Sequence, residues 1–396
     1  MQNRHYTLIA VFTVLQLLIL LVFGYTPYPD SEGYIILATD ALNYQQPYPI
    51  DSKINEYAFL WNLGAINMVE LSLWLFHSVL PLLFIYSLMK GVTSWILYAI
   101  TNKFFNHRVA FIALCLYCLY PANYGESTSV HSELPFIFFA LLALYFCVCH
   151  KWFFLAGLAL AFANWIRPMG LIFLLSILIF TFFNWHKSCR LLIGYLLTIL
   201  IIGTFNYQRT GLFLYQAKTG WMALCDYSTN NQSTSLAIRE RTDWNVSQKD
   251  SAWQSMFIDW LKEHPTEYVA QMPQKLVNTY ISDNVNMCTF ITNKMDKKYM
   301  YDEVSMLTLI KNFPHYSFVQ CFTLLNLFIY YALLITATLS LLYFRKESSL
   351  LSVSIIVLGT LLLLIVGHGE ARFHQPFMPF FIMLSALFIH KKVWKE

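Results

Sequence analysis

Long apolar runs recur along almost the whole chain. With so much apolar surface, the backbone polar groups can be satisfied only inside helices that line or cross a lipid bilayer. The runs fall at Tyr6–Tyr25 and near 71–89, 109–122, 134–149, 152–166, 168–184, 190–205, 319–343, 350–367 and 375–390. That makes about ten segments, several short enough to need tilt or burial. Composition agrees: 57% of residues are hydrophobic, 17% aromatic and 12% charged, with a mean hydropathy of +0.50, far from ordinary globular usage. The first run lacks a small-residue cleavage site and many spans follow it, so it reads as a retained helix. The expected fold class is an all-α polytopic membrane protein of about ten transmembrane helices with two extracytoplasmic loop segments.

Alternating spans put Arg4, Lys90, Lys103, Arg108, Lys151, Lys187, Arg190, Arg345, Lys346, Lys391, Lys392 and Lys395 on one side, which the positive-inside tendency makes cytoplasmic. On the opposite side Lys53, Arg167 and Arg372 are exceptions, and an exception calls for a local reason. The chain then divides into an N-terminal membrane module, 1–205, carrying a first outer loop at 26–70; an extracytoplasmic segment, 206–318; and C-terminal membrane helices, 319–396. Within the long segment, Asp250 to Glu263 places Trp253, Met256, Phe257, Trp260 and Leu261 on one helical face, and His264-Pro265 opens another helix to about Ser282. Such helices either lie on the membrane surface or pack within the segment.

Cysteines Cys115, Cys118, Cys147, Cys149, Cys189 and Cys321 lie in or beside spans and read as small apolar packing, while the spacing of Cys225 and Cys288 permits but does not favour a disulfide. Glycine-rich phosphate loops, zinc-ligand spacings and GxSxG are absent, and the basic residues are too dispersed to bind nucleic acid.

The polar residues at span ends collect on the outer face. Asp30 and Glu32 follow the first span; Glu126, His131 and Glu133 lie between the third and fourth; Arg167 between the fifth and sixth; and His368, Glu370, Arg372 and His374 before the last. Charge beside hydrocarbon is costly, about 2.5 to 3.5 kcal/mol for Asp, Lys or Arg at mid-membrane. A collection at one depth therefore suits a site that binds an anionic lipid head with Arg and works on it with a carboxylate. For single residues the ordinary alternative stands: Asp30 as the cap of an interfacial turn, Arg167 as a cap on the carbonyls of the fifth span.

Several of these stretches resemble a known family. Tyr28-Pro-Asp30-Ser-Glu32-Gly-Tyr34, Ser132-Glu133-Leu-Pro-Phe136, Trp165-Ile-Arg167-Pro168-Met-Gly170 and Glu370-Ala-Arg372-Phe-His374-Gln-Pro376-Phe-Met-Pro379 look like the GT-C glycosyltransferases. The closest likeness is to the branch of polyprenyl-phosphate-sugar-dependent protein mannosyltransferases and the lipid A aminoarabinose transferase. Lys262-Glu-His264-Pro265-Thr-Glu267 with Pro273-Gln-Lys275-Leu276 is similar to that branch's segment before its last membrane bundle, so the likeness runs from Tyr6 to about Phe381. Ser31 separates carboxylates that protein mannosyltransferases place side by side, and the chain shows no large C-terminal soluble domain; both features point away from a protein mannosyltransferase proper.

The resemblance implies an inverting transfer of a sugar from an undecaprenyl- or dolichyl-type phosphate carrier to an acceptor on the extracytoplasmic face of a membrane, in the expected setting the periplasmic face of a bacterial inner membrane. It maps the acceptor's general base onto Asp30, with Glu32 beside it, donor-phosphate binding onto Arg372, Arg167 and Lys275, and acceptor or sugar contacts onto Tyr34, His131, Glu133, Glu370 and His374. The partners implied are a lipid-linked sugar donor, a lipid, glycan or protein acceptor and membrane lipids. No nucleotide cofactor follows, and a divalent metal at Asp30, Glu32 and Glu133 is possible but needs oxygen ligands the sequence does not place. The alternatives are a polysaccharide polymerase or ligase, which would rely on loop Arg and His, and a polytopic transporter, which would show mid-membrane ionisable residues and internal repeats. The topology has a direct check: a single cysteine introduced at position 240 should react with a membrane-impermeant maleimide added to the outside of intact cells.

Overall fold

The computed structural model describes residues 4–27, 30–47, 61–229, 232–283, 318–347, 349–367 and 369–393. Among them every regular element is a helix. The N-terminal module holds α1 (Arg4–Phe23), α2 (Ser31–Asn43), α3 (Leu63–Phe76), α4 (Leu80–Phe104), α5 (His107–Leu119), α6 (Glu133–Tyr145), α7 (Phe153–Ile166), α8 (Gly170–Thr181) and α9 (Trp185–Thr210). The following segment carries α10 (Gly220–Ser228), α11 (Gln232–Glu240), α12 (Val246–Glu263) and α13 (Pro265–Tyr280). The last helices are α14 (Phe318–Tyr343), α15 (Leu350–Val366) and α16 (Met378–Val393).

Among the described residues six helical stretches are long and apolar enough to cross a membrane: Arg4–Phe23, Leu80–Phe104, Glu133–His150, Trp185–Thr210, Cys321–Tyr343 and Ala371–Val393. Leu63–Phe76, His107–Leu119, Phe153–Ile166, Gly170–Thr181 and Leu350–Val366 are apolar but shorter. The sequence run at 71–89 is not one span. His77 adopts a left-handed conformation that ends α3, and Pro81 opens α4, so the helix that follows runs on to Phe104. Hydropathy merges the two pieces because both are apolar on either side of the break.

That correction moves Lys90. It was counted among the cytoplasmic charges, yet it lies ten residues, about 15 Å, into α4, with 3% exposure, ion-paired to Glu126, which is 5% exposed. Elsewhere in the bundle His5 stacks on Tyr98, Lys391 pairs with Glu347 at 2.6 Å, and Lys187 lies over Phe153.

Two apolar cores stack along the bundle. One, built on α4, α5, α6, α7, α8, α14 and α16, includes Phe136, Phe173, Tyr330, Phe377 and Phe380. Within it α7 and α9 cross at Gly157 and Gly194, where a side chain on either would collide with the opposite backbone, the close approach that small residues permit between membrane helices. The second core joins α2 and α3 to the long segment through Tyr34, Leu63, Ile66, Leu224 and Trp253. There α12 begins on a capping box, Asn245 with Gln248, and buries Trp253, Phe257 and Trp260. Its apolar face therefore packs within the segment, and α13 ends at Tyr280. Cys225 donates its thiol to the Trp253 carbonyl at 3.2 Å; Cys288 lies outside the described residues.

Between the cores, residues 120–133 run as a buried, largely non-helical strap, and backbone there must find partners. Gln16 of α1 donates to the Asn123 carbonyl at 3.1 Å and accepts from Ser127 at 2.8 Å, Thr26 N–H donates to the Thr128 carbonyl at 2.8 Å, and Ser31 donates to the Val130 carbonyl at 2.6 Å. Lys90 binds the same strap through Glu126. Removing one member of a buried pair strands a charge at a cost of about 3–5 kcal/mol. Lys90→Met should therefore lower the thermal midpoint of the detergent-solubilised protein markedly, whereas Lys90→Met combined with Glu126→Gln should recover most of the loss. Equal midpoints for wild type and Lys90→Met would show that the pair contributes nothing.

Candidate active site

Asp30 occupies the N-cap position of α2, but its carboxylate makes no capping bond to the helix. It turns across the molecule to an ion pair with Arg372, from the last outer loop. Arg372 also presents Nε to Glu370 at 2.7 Å. The loop that carries both is seated on α13: Gly369, at φ +75°, lies so close to the Lys275 backbone that a Cβ there would approach within 2.9 Å of its carbonyl oxygen.

Beside this pair stands a second. Glu133, the first residue of α6 and 3% exposed, is ion-paired with Arg167, the residue that ends α7. The Arg167 guanidinium does not fold back on the carbonyls of α7 but reaches Glu133 and, at 3.2 Å, Ser132 Oγ. Arg167 and Arg372 both lie over the Phe373 ring, at 5.6 and 5.8 Å from its centroid, within the range of a cation–π contact for each. His131 faces Glu133 Oε2 through Nδ1 at 3.3 Å and the Glu126 carbonyl through Nε2 at 2.8 Å. Burial alone would push this imidazole down; Glu133, aided by Glu126, outweighs it and holds His131 above its ordinary value.

Asp30 differs from Glu133 in being partly open, its side chain 25% exposed. Burial pushes its carboxyl above the usual carboxylate range, assisted by the charges of Glu133 and Glu370, and Arg372 only partly offsets this. A carboxylate reachable from solvent and held above its ordinary value suits proton abstraction.

Of the residues singled out from sequence, the structure thus brings together Asp30, Arg372, Glu370, Glu133, Arg167 and His131. Tyr34 joins them from α2, buried, its hydroxyl 3.3 Å from Ser132 Oγ. Three others sit apart. Glu32 is exposed, and its charge is felt by Tyr25. Lys275 donates to Ser228 Oγ at 2.8 Å, behind the loop, where burial lowers its ammonium to about 8. His374 turns into the bundle, donating from Nδ1 to the Thr279 carbonyl at 2.7 Å and facing Asp283 through Nε2 at 3.1 Å. His368 lies outside the described residues. Sequence reading missed Asp283, which is buried and also takes the Tyr120 hydroxyl, and Asn62, whose amide reaches Tyr34. Asp283 follows directly on an amphipathic helix and had no apolar run to flag it.

A divalent metal does not fit this arrangement. Among the described residues there is no group of three or more His, Cys, Asp or Glu placed to hold one. Asp30 and Glu133 each face a guanidinium, while Glu32 points elsewhere.

Residues 67–206 match the family model described as dolichyl-phosphate-mannose-protein mannosyltransferase. Solved structures with the same fold include the archaeal oligosaccharyltransferase AglB from Archaeoglobus fulgidus in complex with an inhibitory peptide and a dolichol-phosphate, at TM-score 0.55 and 13% identity over 98% of this chain and 50% of that one. The A. fulgidus oligosaccharyltransferase tethered to an acceptor peptide containing the NVT sequon gives TM-score 0.56 and 14% identity over 98% and 49%. The chain therefore spans about half the length of those proteins. No curated protein sequence matches it. The matched family and the matched structures both belong to the GT-C superfamily.

Proposed function

We propose that this GT-C glycosyltransferase moves a sugar from a polyprenyl-phosphate carrier to a hydroxyl acceptor at the extracytoplasmic membrane face, with inversion at the anomeric carbon and Asp30 as general base. The observation that carries the reading is the direct pairing of Asp30 with Arg372. It joins the candidate base to a candidate phosphate ligand from the opposite end of the chain, and both remain partly open.

The chemistry follows from what these groups can exchange. A donor phosphodiester brings one negative charge and competes with Asp30 for Arg372, whose planar fork matches phosphate oxygens. Arg167 lies against the same aromatic ring and offers a second guanidinium. Once Arg372 turns to the phosphate, Asp30 loses its cation and becomes the stronger base. It takes the acceptor's proton as the acceptor oxygen bonds to the anomeric carbon from the side opposite the phosphate, and the bond from that carbon to the phosphate oxygen breaks. The carrier phosphate leaves with a second negative charge, which the two arginines offset. Tyr34, Glu370 and Glu133 border the reacting groups and are the natural contacts for sugar and acceptor hydroxyls; Glu32 and Lys275 act from further out. In this reading the site faces the periplasm of a bacterial cell, and the helices are arranged as about ten membrane crossings.

Reconstituted in liposomes with radiolabelled polyprenyl-phosphate sugars, the wild-type protein should transfer label from one of them. Asp30→Asn should cut turnover by about 10²–10⁴-fold, the range for a general base, with donor binding retained. Since Asn caps helices about as well as Asp, wild-type turnover in that variant would remove the base from Asp30.

The pH dependence carries a sign. The base works ionised, and its carboxyl sits above the ordinary Asp value of about 3.9, so turnover should fall as pH drops and begin to fall above the usual carboxylate range. Donor binding replaces Arg372 by an anion next to Asp30, with Glu133 and Glu370 still adjacent. The acid limb of kcat, which reports the donor complex, should therefore lie at higher pH than that of kcat/KM, which reports the free enzyme.

A further inference from the structure

Ser132 stands at the N-cap position of α6, where a serine hydroxyl ordinarily accepts a bond from the first turn of its own helix. Here it makes no such bond. The hydroxyl, in a residue 1% exposed, is instead the meeting point of four elements. Arg167 Nη1 from the end of α7 donates to it at 3.2 Å, the Asn62 amide from the start of α3 at 3.1 Å and the Tyr34 hydroxyl from α2 at 3.3 Å, while Ser132 lies 3.4 Å from Glu133 Oε2, to which it donates.

A serine hydroxyl has one proton and two lone pairs, so it serves three of these four partners at a time. Asn62 can give way, because its amide also reaches the Tyr34 hydroxyl at 2.8 Å. Arg167 has the strongest claim, since a bond from a charged donor is worth about twice a neutral one. A hydroxyl at the capping position thus serves a guanidinium and not the first turn of its own helix.

We infer that Ser132 is a positioning residue that sets the orientation of Arg167 toward the donor phosphate, so that its loss weakens phosphate binding through Arg167 and not through the stability of α6. The inference rests on the donor-phosphate role given to Arg167 above. Glu133 and Ser132 both engage Nη1, so one corner of the guanidinium is fixed by two partners and neither takes Nε or Nη2, while the group lies 5.6 Å from the centroid of Phe373, a ring that Arg372 also approaches. Without the hydroxyl, Arg167 keeps its ion pair but can rotate about it.

The test uses the full chain in nanodiscs and undecaprenyl phosphate, the carrier without sugar, as the probe. Ser132→Ala should weaken its binding about tenfold. Thr and Val are nearly equal in volume and differ there only by the hydroxyl. Ser132→Thr should therefore bind near wild type and Ser132→Val should follow Ala, even if any substitution costs some stability. The decisive comparison repeats Thr against Val in an Arg167→Lys background, where Lys still offers Glu133 a cation but cannot hold both partners in one plane. There the difference should shrink below about twofold, because contacts that act through one another are not additive. A Thr–Val difference of the same size in both backgrounds, or none in wild type, overturns the positioning role while leaving the donor reading intact. A wild-type protein that does not bind undecaprenyl phosphate overturns the donor reading and this inference together.

Discussion

The pairing of Glu133 with Arg167 is the contact around which the outer end of the bundle is assembled. Both groups are almost wholly buried, and two charges removed from water cost several kcal/mol each unless their remaining donors and acceptors are met. Meeting them draws in His131 and Ser132 from the same strap and, through Ser132, Asn62 and Tyr34. The start of α6, the end of α7, the starts of α2 and α3 and the strap at 120–133 are thereby held to one another by polar contacts, whereas the apolar cores on either side supply bulk cohesion without direction.

This polar layer explains where chemistry can occur. The lower core is closed by aromatic and aliphatic packing, and the upper one by α2, α3 and α10 to α13. At their junction the layer opens at Asp30, Glu370 and Arg372, each partly exposed, in contrast to the sealed Glu133 and His131 behind them. A partly exposed ion pair, Asp30 with Arg372, thus stands in front of a sealed one, Glu133 with Arg167. In the function proposed above, the sealed pair orients a guanidinium, and the exposed pair releases both a base and a phosphate ligand when a donor displaces it.

Lys90 with Glu126 and His374 with Asp283 are further buried ionisable pairs. Mid-membrane charges are also what a transport site would use. Here each pair is closed on itself and tied to neighbouring backbone: Glu126 offers its carbonyl to His131, and His374 binds the Thr279 carbonyl. That ties them to the strap and to α13, the two elements that seat the outer loops.

The sequence by itself determined the membrane class, the apolar helices, the amphipathic face of α12 and the residue types gathered at one depth, because hydropathy and helical periodicity are local properties of the chain. It also marked Arg167 and Arg372 as charges needing a partner. It did not determine the partners. Asp30 and Arg372 are 342 residues apart, and no local pattern tells a capping carboxylate from one that turns away from its helix. Lys90 was misplaced for a related reason: a left-handed residue at His77 divides an apolar run without altering its hydropathy. Asp283, Asn62 and the withdrawn cap at Ser132 became visible only in the tertiary structure, since a polar side chain's role depends on which buried groups remain to be satisfied, and packing settles that last.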